Sequence, residues 1–78
     1  MTFDGKACHQ RLKNEARMRG MTLRELAAYA GVSENSIQTI KQQTQQGPSA
    51  LTVMRLAKAL RRDPNWVMGW ERAKHEQL

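Results

Sequence analysis

Cysteine occurs once in the chain, at Cys8, so no internal disulfide can form and the stapled frameworks of small secreted domains are excluded. Proline occurs only at Pro48 and Pro64, each beside a turn or helix start rather than inside an element. No apolar run approaches the roughly 18 residues that a membrane-spanning helix needs. The opening MTFDGKACHQ offers no apolar stretch suited to a signal peptide. No segment alternates apolar and polar residues long enough to argue for a strand, and no repeat or internal linker stands out. Acid is also scarce: seven Asp+Glu stand against thirteen Lys+Arg, a formal charge of +6. That balance favours an anionic partner, nucleic acid or an acidic membrane surface, without choosing between them. What remains is a basic chain of 78 residues, 40% hydrophobic, enough for one thin core. A single domain over 1–78 is expected, with a core over about 5–70, a tail over 71–78 and a cytoplasmic location.

The periodicities predict five short helices, an all-α fold. Asp4 caps the first, which carries Cys8, Leu12 and Ala16 on one narrow stripe and runs to about Arg19, before Gly20. Thr22 with Glu25 forms a capping box for the second, whose apolar face is Leu26, Ala27 and Ala30 and whose stop is Gly31. Ser33 caps a third helix reaching Lys41 or Gln42, with Ile37 and Ile40 inward. A polar loop, QQTQQGPS, precedes Ser49 and a fourth helix. Its buried face is expected from Leu51 or Val53, Met54, Leu56, Ala57 and Leu60. Asp63 and Pro64 start a fifth helix bearing Trp66, Val67 and Trp70.

Charge is unevenly placed on this plan. Residues 1–25 hold six basic and three acidic groups, as do residues 55–78, whereas 26–54 hold only Lys41 against Glu34. Two flanks of +3 therefore enclose a neutral, amide-rich centre with Asn35, Gln38, Gln42 and Gln43.

Within that centre lies LRELAAYAGVSENSIQTIKQ, from Leu23 to Gln42. Two helices crossing steeply over a tight turn need a small residue at the crossing, here Ala27, and a turn residue that tolerates positive φ, here Gly31. Apolar residues must follow, and Val32, Ile37 and Ile40 do. This segment resembles the helix-turn-helix of the lambda-repressor-like family of phage repressors, Cro proteins and related bacterial regulators. The likeness continues through RLKNEARMRGMTLRELA, PSALTVMRLAKAL and DPNWVMGW, and so covers roughly residues 8 to 70. It implies a compact five-helix DNA-binding domain with its helix-turn-helix at the second and third helices.

The resemblance places the third helix in the major groove. With Ile37 and Ile40 inward, a 3.6-residue period turns Glu34, Asn35, Gln38, Thr39 and Gln42 outward, with Ser33 at the cap. These six are the expected base-reading residues, with Gln38 or Asn35 on A·T pairs, since an amide can bond bidentately to adenine. The expected phosphate contacts are Thr22, Arg24, Lys41, Gln43 and Thr44, at helix ends and the loop rim. Where many relatives carry Gln at the start of the second helix, this chain has Leu23, so that contact is expected to be lost or taken over by Thr22 or Arg24. The Arg and Glu that several relatives pair are here Ala16 and Lys41, and a substitute pair between Glu15 and Lys41 is expected.

Plainer readings stand beside these. The glutamine run is also what a solvated loop looks like, and basic residues on the first and fourth helices are ordinarily solvated faces. Cys8-His9 has no further ligands at metal spacing, so Cys8 reads as a small core residue. No metal or cofactor is expected, and no paired carboxylates, nucleophile–base pair or phosphate-binding Gly loop suggests an enzyme. One unit reads too few base pairs for tight specificity, so a homodimer on DNA is expected, joined through Val67 and Trp70. The resulting expectation is a transcriptional regulator, a Cro-like protein or the N-terminal domain of a phage-type repressor, on a palindromic double-stranded DNA operator. The alternative is an antitoxin-type protein-binding module on the same scaffold.

Overall fold

A computed structural model of the chain describes residues 3–44 and 47–69; among them are five α-helices, one 3-10 turn and no strand. Each helix begins at a side-chain cap. Asp4 accepts from the Ala7 N–H at 3.0 Å and opens α1 (Gly5–Met18). The chain leaves α1 through Gly20, whose φ of 71° is left-handed, a region glycine enters without a Cβ clash. Thr22 and Glu25 form the expected reciprocal box at α2 (Leu23–Ala30): the Glu25 N–H donates to Thr22 Oγ1 at 3.1 Å, and the Thr22 N–H to Glu25 Oε1 at 2.9 Å. Ser33 caps α3 (Glu34–Gln38), Ser49 caps α4 (Ala50–Leu60), and Asp63 with Pro64 opens α5 (Pro64–Met68).

Between α2 and α3 the turn has the geometry a helix-turn-helix requires. Gly31 sits at φ 77°, the Val32 N–H returns to the Ala27 carbonyl at 3.0 Å, and Ala27 is buried. Arg55 of α4 ties this turn down, donating to the Gly31 carbonyl at 3.0 Å. Leu12, Leu26, Ile37, Ile40, Leu56, Leu60, Val67 and Cys8 are wholly buried and form the centre of the core. Enclosing each large aliphatic side chain of this set contributes about 1.5–3 kcal/mol.

Several expectations are corrected. The third helix does not continue to Lys41 as α-helix; after Gln38 it tightens into the 3-10 turn Thr39–Gln42, which packs against α1. On α4, Val53 is the buried alternative to Leu51, and Met54, expected inward, is 61% exposed. Val67 is fully enclosed and cannot present its side chain to a second copy. Trp70 lies outside the described residues. Glu15 does not pair with Lys41: it is buried and holds Arg19 at 3.2 Å and Arg62 at 3.0 Å. Arg19 stands one helical turn away on the same face, and Arg62 reaches across from the end of α4 with its guanidinium 4.6 Å over the Trp66 ring.

The N-terminal segment is anchored in a way that composition did not suggest. Phe3 is buried, its N–H donates to the Thr44 carbonyl, and the Gly5 N–H donates to the Gln43 carbonyl, both at 3.1 Å. A Cβ at Gly5 would fall on the carbonyl oxygens of Ile40 and Gln43. These are backbone atoms and cannot rotate aside. Gly5→Ala is expected to lower stability by about 1–3 kcal/mol, read as an earlier urea midpoint; an unchanged midpoint would refute this packing.

Cys8 is the expected core residue. It is wholly enclosed, and its thiol donates to the Val67 carbonyl at 3.1 Å. Burial pushes its pKa up from 9.0 to about 11. Because the folded pKa is the higher one, this contribution to stability is complete below pH 9 and is lost as pH rises towards 11. The loss reaches roughly 2–3 kcal/mol, and the stability difference between wild type and Cys8→Ala is expected to shrink by that amount over this window. A difference independent of pH would count against it.

Candidate nucleic-acid interface

Three elements converge on one cleft of about 540 Å³: the middle of α1, the start of α2, and α3 with its 3-10 extension. Lys13 and Arg17 enter from α1, Arg24 from α2 and Lys41 from the 3-10 turn, opposite one acid, Glu34. Among the described residues, the ion pairs all belong to Glu15, so none of these four cations is neutralised by a carboxylate. Thr22 lines the same cleft with its hydroxyl engaged in the capping box. The arrangement is a concave surface that four exposed cations enter from three elements, which suits a polyanion passing across it.

The structure brings Thr22, Arg24, Lys41, Glu34 and Gln38 together here. Ser33, Asn35, Thr39, Gln42, Gln43 and Thr44 lie outside the cleft wall. Asn35, Gln42 and Thr44 are exposed, while Thr39 and Gln43 are half-buried. Two hydroxyls are committed locally: Ser33 Oγ accepts from the Ser36 N–H at 3.0 Å, and Thr39 Oγ1 donates to the Ser36 carbonyl at 3.3 Å. Gln43 turns Oε1 inward, where it has no hydrogen-bond partner among the described residues.

The switch from α to 3-10 geometry decides which side chains share a face. At 3.6 residues per turn Gln38 and Gln42 would align; at three per turn positions i and i+3 eclipse, and Gln38 aligns with Lys41. Gln38 and Lys41 accordingly both line the cleft, and Gln42 does not.

Sequence reasoning assigned no role to three residues of the wall. His9, Lys13 and Arg17 follow one another at four-residue spacing on α1 and all line the cleft. That spacing was a legible signal, because it repeats the period of the Cys8, Leu12 and Ala16 stripe one position along. His9 also reaches the third helix directly, its ring Nε2 sharing a hydrogen bond of 3.2 Å with the Gln38 side-chain amide.

Elsewhere α4 and α5 leave a smaller apolar groove of about 270 Å³, lined by Pro48, Val53, Met54, Pro64 and Met68, with Leu51 exposed on the same helix as Met54. No helix of the described residues is long and apolar enough to cross a membrane.

A family model described as helix-turn-helix matches residues 12–67. The matched span runs from Leu12 of α1 to Val67 of α5, and so includes every lining residue of the cleft except His9. No curated protein matches the chain.

Proposed function

The chain belongs to the helix-turn-helix family, in its XRE/lambda-repressor-like form, and is a DNA-binding regulator of that type; from this premise we propose that it is a phage- or prophage-type repressor occupying a palindromic operator as a homodimer. The observation that carries this reading is the cleft. Four cations without acidic partners border a third helix that holds one acid and several amides. Lys13, Arg17, Arg24 and Lys41 take phosphates on the two sides of the major groove, and the exposed face of α3 meets the base edges. Asn35 is the adenine reader, because its amide is exposed and bidentate pairing needs both of its polar atoms. The site of action is the cytoplasm or nucleoid, where the operator is.

In-vitro selection from random duplex tests the reading: an enriched site with two inverted half-sites about one helical turn apart is expected. If each cleft cation neutralises one phosphate, log affinity against log salt has a slope of about −3.6 per protomer. Selection that enriches nothing, together with a flat salt response, would overturn the proposal.

The dimer contact is assigned to the exposed apolar face of α4 and α5 rather than to buried Val67. Leu51→Asp with Met54→Asp is expected to leave the fold intact and to yield a monomer by sedimentation, with operator affinity weakened at least tenfold. Wild type that sediments as a monomer both on and off operator would remove the dimer.

A further inference from the structure

A second basic surface lies away from the cleft. Tyr29 and Ala30 of α2 and Arg55, Lys58, Ala59 and Arg61 of α4 border a concavity of about 610 Å³, with no acid among these lining residues. It shares no lining residue with the cleft. Tyr29 follows Arg24 by five residues and so stands about 140° around α2 from it. The acids that flank this face in sequence are engaged elsewhere: Glu25 closes the Thr22 box, Glu34 lines the cleft, and Asp63 caps α5.

The face is built against the preferences of its own helix. Arg55, Lys58 and Arg61 follow at three-residue spacing, which makes like charges neighbours on one side of α4 and weakens it. Among the described residues, neither Lys58 nor Arg61 makes a side-chain hydrogen bond or an ion pair that offsets this. Arg61 also ends α4 at φ 55°, in the left-handed region that favours glycine, and no other non-glycine among the described residues has a positive φ. Tyr29 leaves its ring 69% exposed. Two choices that weaken a helix and one exposed aromatic ring thus meet in one concavity.

The cations stand about 4.5 Å apart along the α4 axis, so the row spans about 9 Å. That length suits a few carboxylates, which an arginine fork can take through two N–H groups. Arg55 uses one N–H on the Gly31 carbonyl and keeps the rest. Ala30, Ala59 and the Tyr29 ring supply an apolar floor beside the charges. A single strand of nucleic acid calls instead for successive aromatic platforms along a longer groove, and this concavity has one ring. We propose that the α2–α4 face binds an acidic protein segment, with carboxylates on Arg55, Lys58 and Arg61 and an apolar side chain against Tyr29. With no residue shared between the two surfaces, such a segment and DNA can be held together. Binding of the segment needs no DNA contact, so it stands apart from the operator reading.

The test is an NMR titration of the 15N-labelled full chain with the end-capped peptide Glu-Glu-Phe-Glu-Glu, free and with a selected duplex in excess. Saturating shift changes are expected at Tyr29, Ala30, Lys58, Ala59 and Arg61 in both states, and none with Gln-Gln-Phe-Gln-Gln. Lys58→Ser with Arg61→Gly is expected to weaken the peptide at least about tenfold. Arg61→Gly alone is expected to lower peptide affinity while raising the urea midpoint, so the lost binding is not lost folding. Arg24→Ser with Lys41→Ser removes the same charge from the cleft and is expected to change peptide affinity less than about twofold. Equal losses from the two pairs would mean that net charge alone attracts the peptide, and would overturn the proposal. Shift changes centred on Lys13, Arg17 and Lys41, or displacement of the peptide by duplex, would place it in the cleft and do the same. So would a short oligothymidylate that moves the α2–α4 signals at lower concentration than the peptide, which would make the face a nucleic-acid site. Failure of site selection on DNA, with peptide binding intact, would overturn the operator reading and leave this one standing.

Discussion

Replacing Arg24 and Lys41 together by Glu is expected to weaken operator affinity on the order of 100- to 1,000-fold near 0.1 M salt, without altering the fold. Both side chains are exposed, and neither takes part in an ion pair among the described residues, so no ion pair is lost with them. They enter the cleft from different elements, Arg24 from α2 and Lys41 from the 3-10 turn, so a polyanion crossing it meets both. Each reversal removes one released counterion and adds a repulsion. The salt slope is expected to flatten by about 1.8 per protomer, twice the single-phosphate value of about 0.9. Phosphate contacts carry no sequence information, so the selected site is expected to stay the same while affinity for all sites falls. The control is Lys58→Glu with Arg61→Glu, which changes net charge equally at exposed positions outside the cleft, near the end of α4. That pair is expected to weaken binding only a few-fold at 0.1 M salt, because charges more than about 10 Å away are largely screened. An equal loss from both pairs would mean that total charge, not the cleft, governs affinity.

Legibility in the sequence followed the range of the physics involved. Caps were readable because their determinants lie within three residues: Thr22 with Glu25, Ser33 with Ser36, Ser49 with Thr52, and Asp63 beside Pro64. The all-α fold and the crossing at Ala27 and Gly31 followed from periodicity and from one positive φ. The face of α4 was harder. Leu51, Val53, Met54, Leu56, Ala57 and Leu60 spread over a wide arc, and only packing against α2 and α5 shows that Val53 turns in and Met54 out. The 3-10 turn has no glycine or proline to announce it; it follows from docking on α1, with Phe3 and Gly5 hydrogen-bonding just beyond its end. That one change of period moved Gln42 off the cleft and aligned Lys41 with Gln38. The link from His9 to Gln38 was hidden for the same reason, since a contact 29 residues apart leaves no local pattern.

Glu15 shows the same limit, and its removal makes a test of how a buried charge is stabilised. The sequence offered Lys41 as its partner; the structure supplies Arg19 and Arg62, the latter 47 residues away. Exposure is lopsided within this trio: the Glu15 side chain is 9% accessible, against 38% for Arg19 and 44% for Arg62. Deleting the acid and deleting the cations are therefore not equivalent. In Glu15→Ala the two guanidinium groups can turn to water, Arg19 keeps its bond to the Leu60 carbonyl and Arg62 its place over Trp66. The expected loss is about 1–2 kcal/mol. In Arg19→Ala with Arg62→Ala, the carboxylate stays where water barely reaches and has lost both partners, and the expected loss is about 3–5 kcal/mol. The arginines also make contacts of their own, so a third variant separates these contributions. Adding Glu15→Leu to the double arginine variant removes the stranded charge while keeping the volume filled. It is expected to recover at least about 2 kcal/mol, read from urea midpoints at neutral pH. If that addition recovers nothing, the cost lies in the lost bonds to Leu60 and Trp66, and the buried carboxylate is not the reason these three residues are joined.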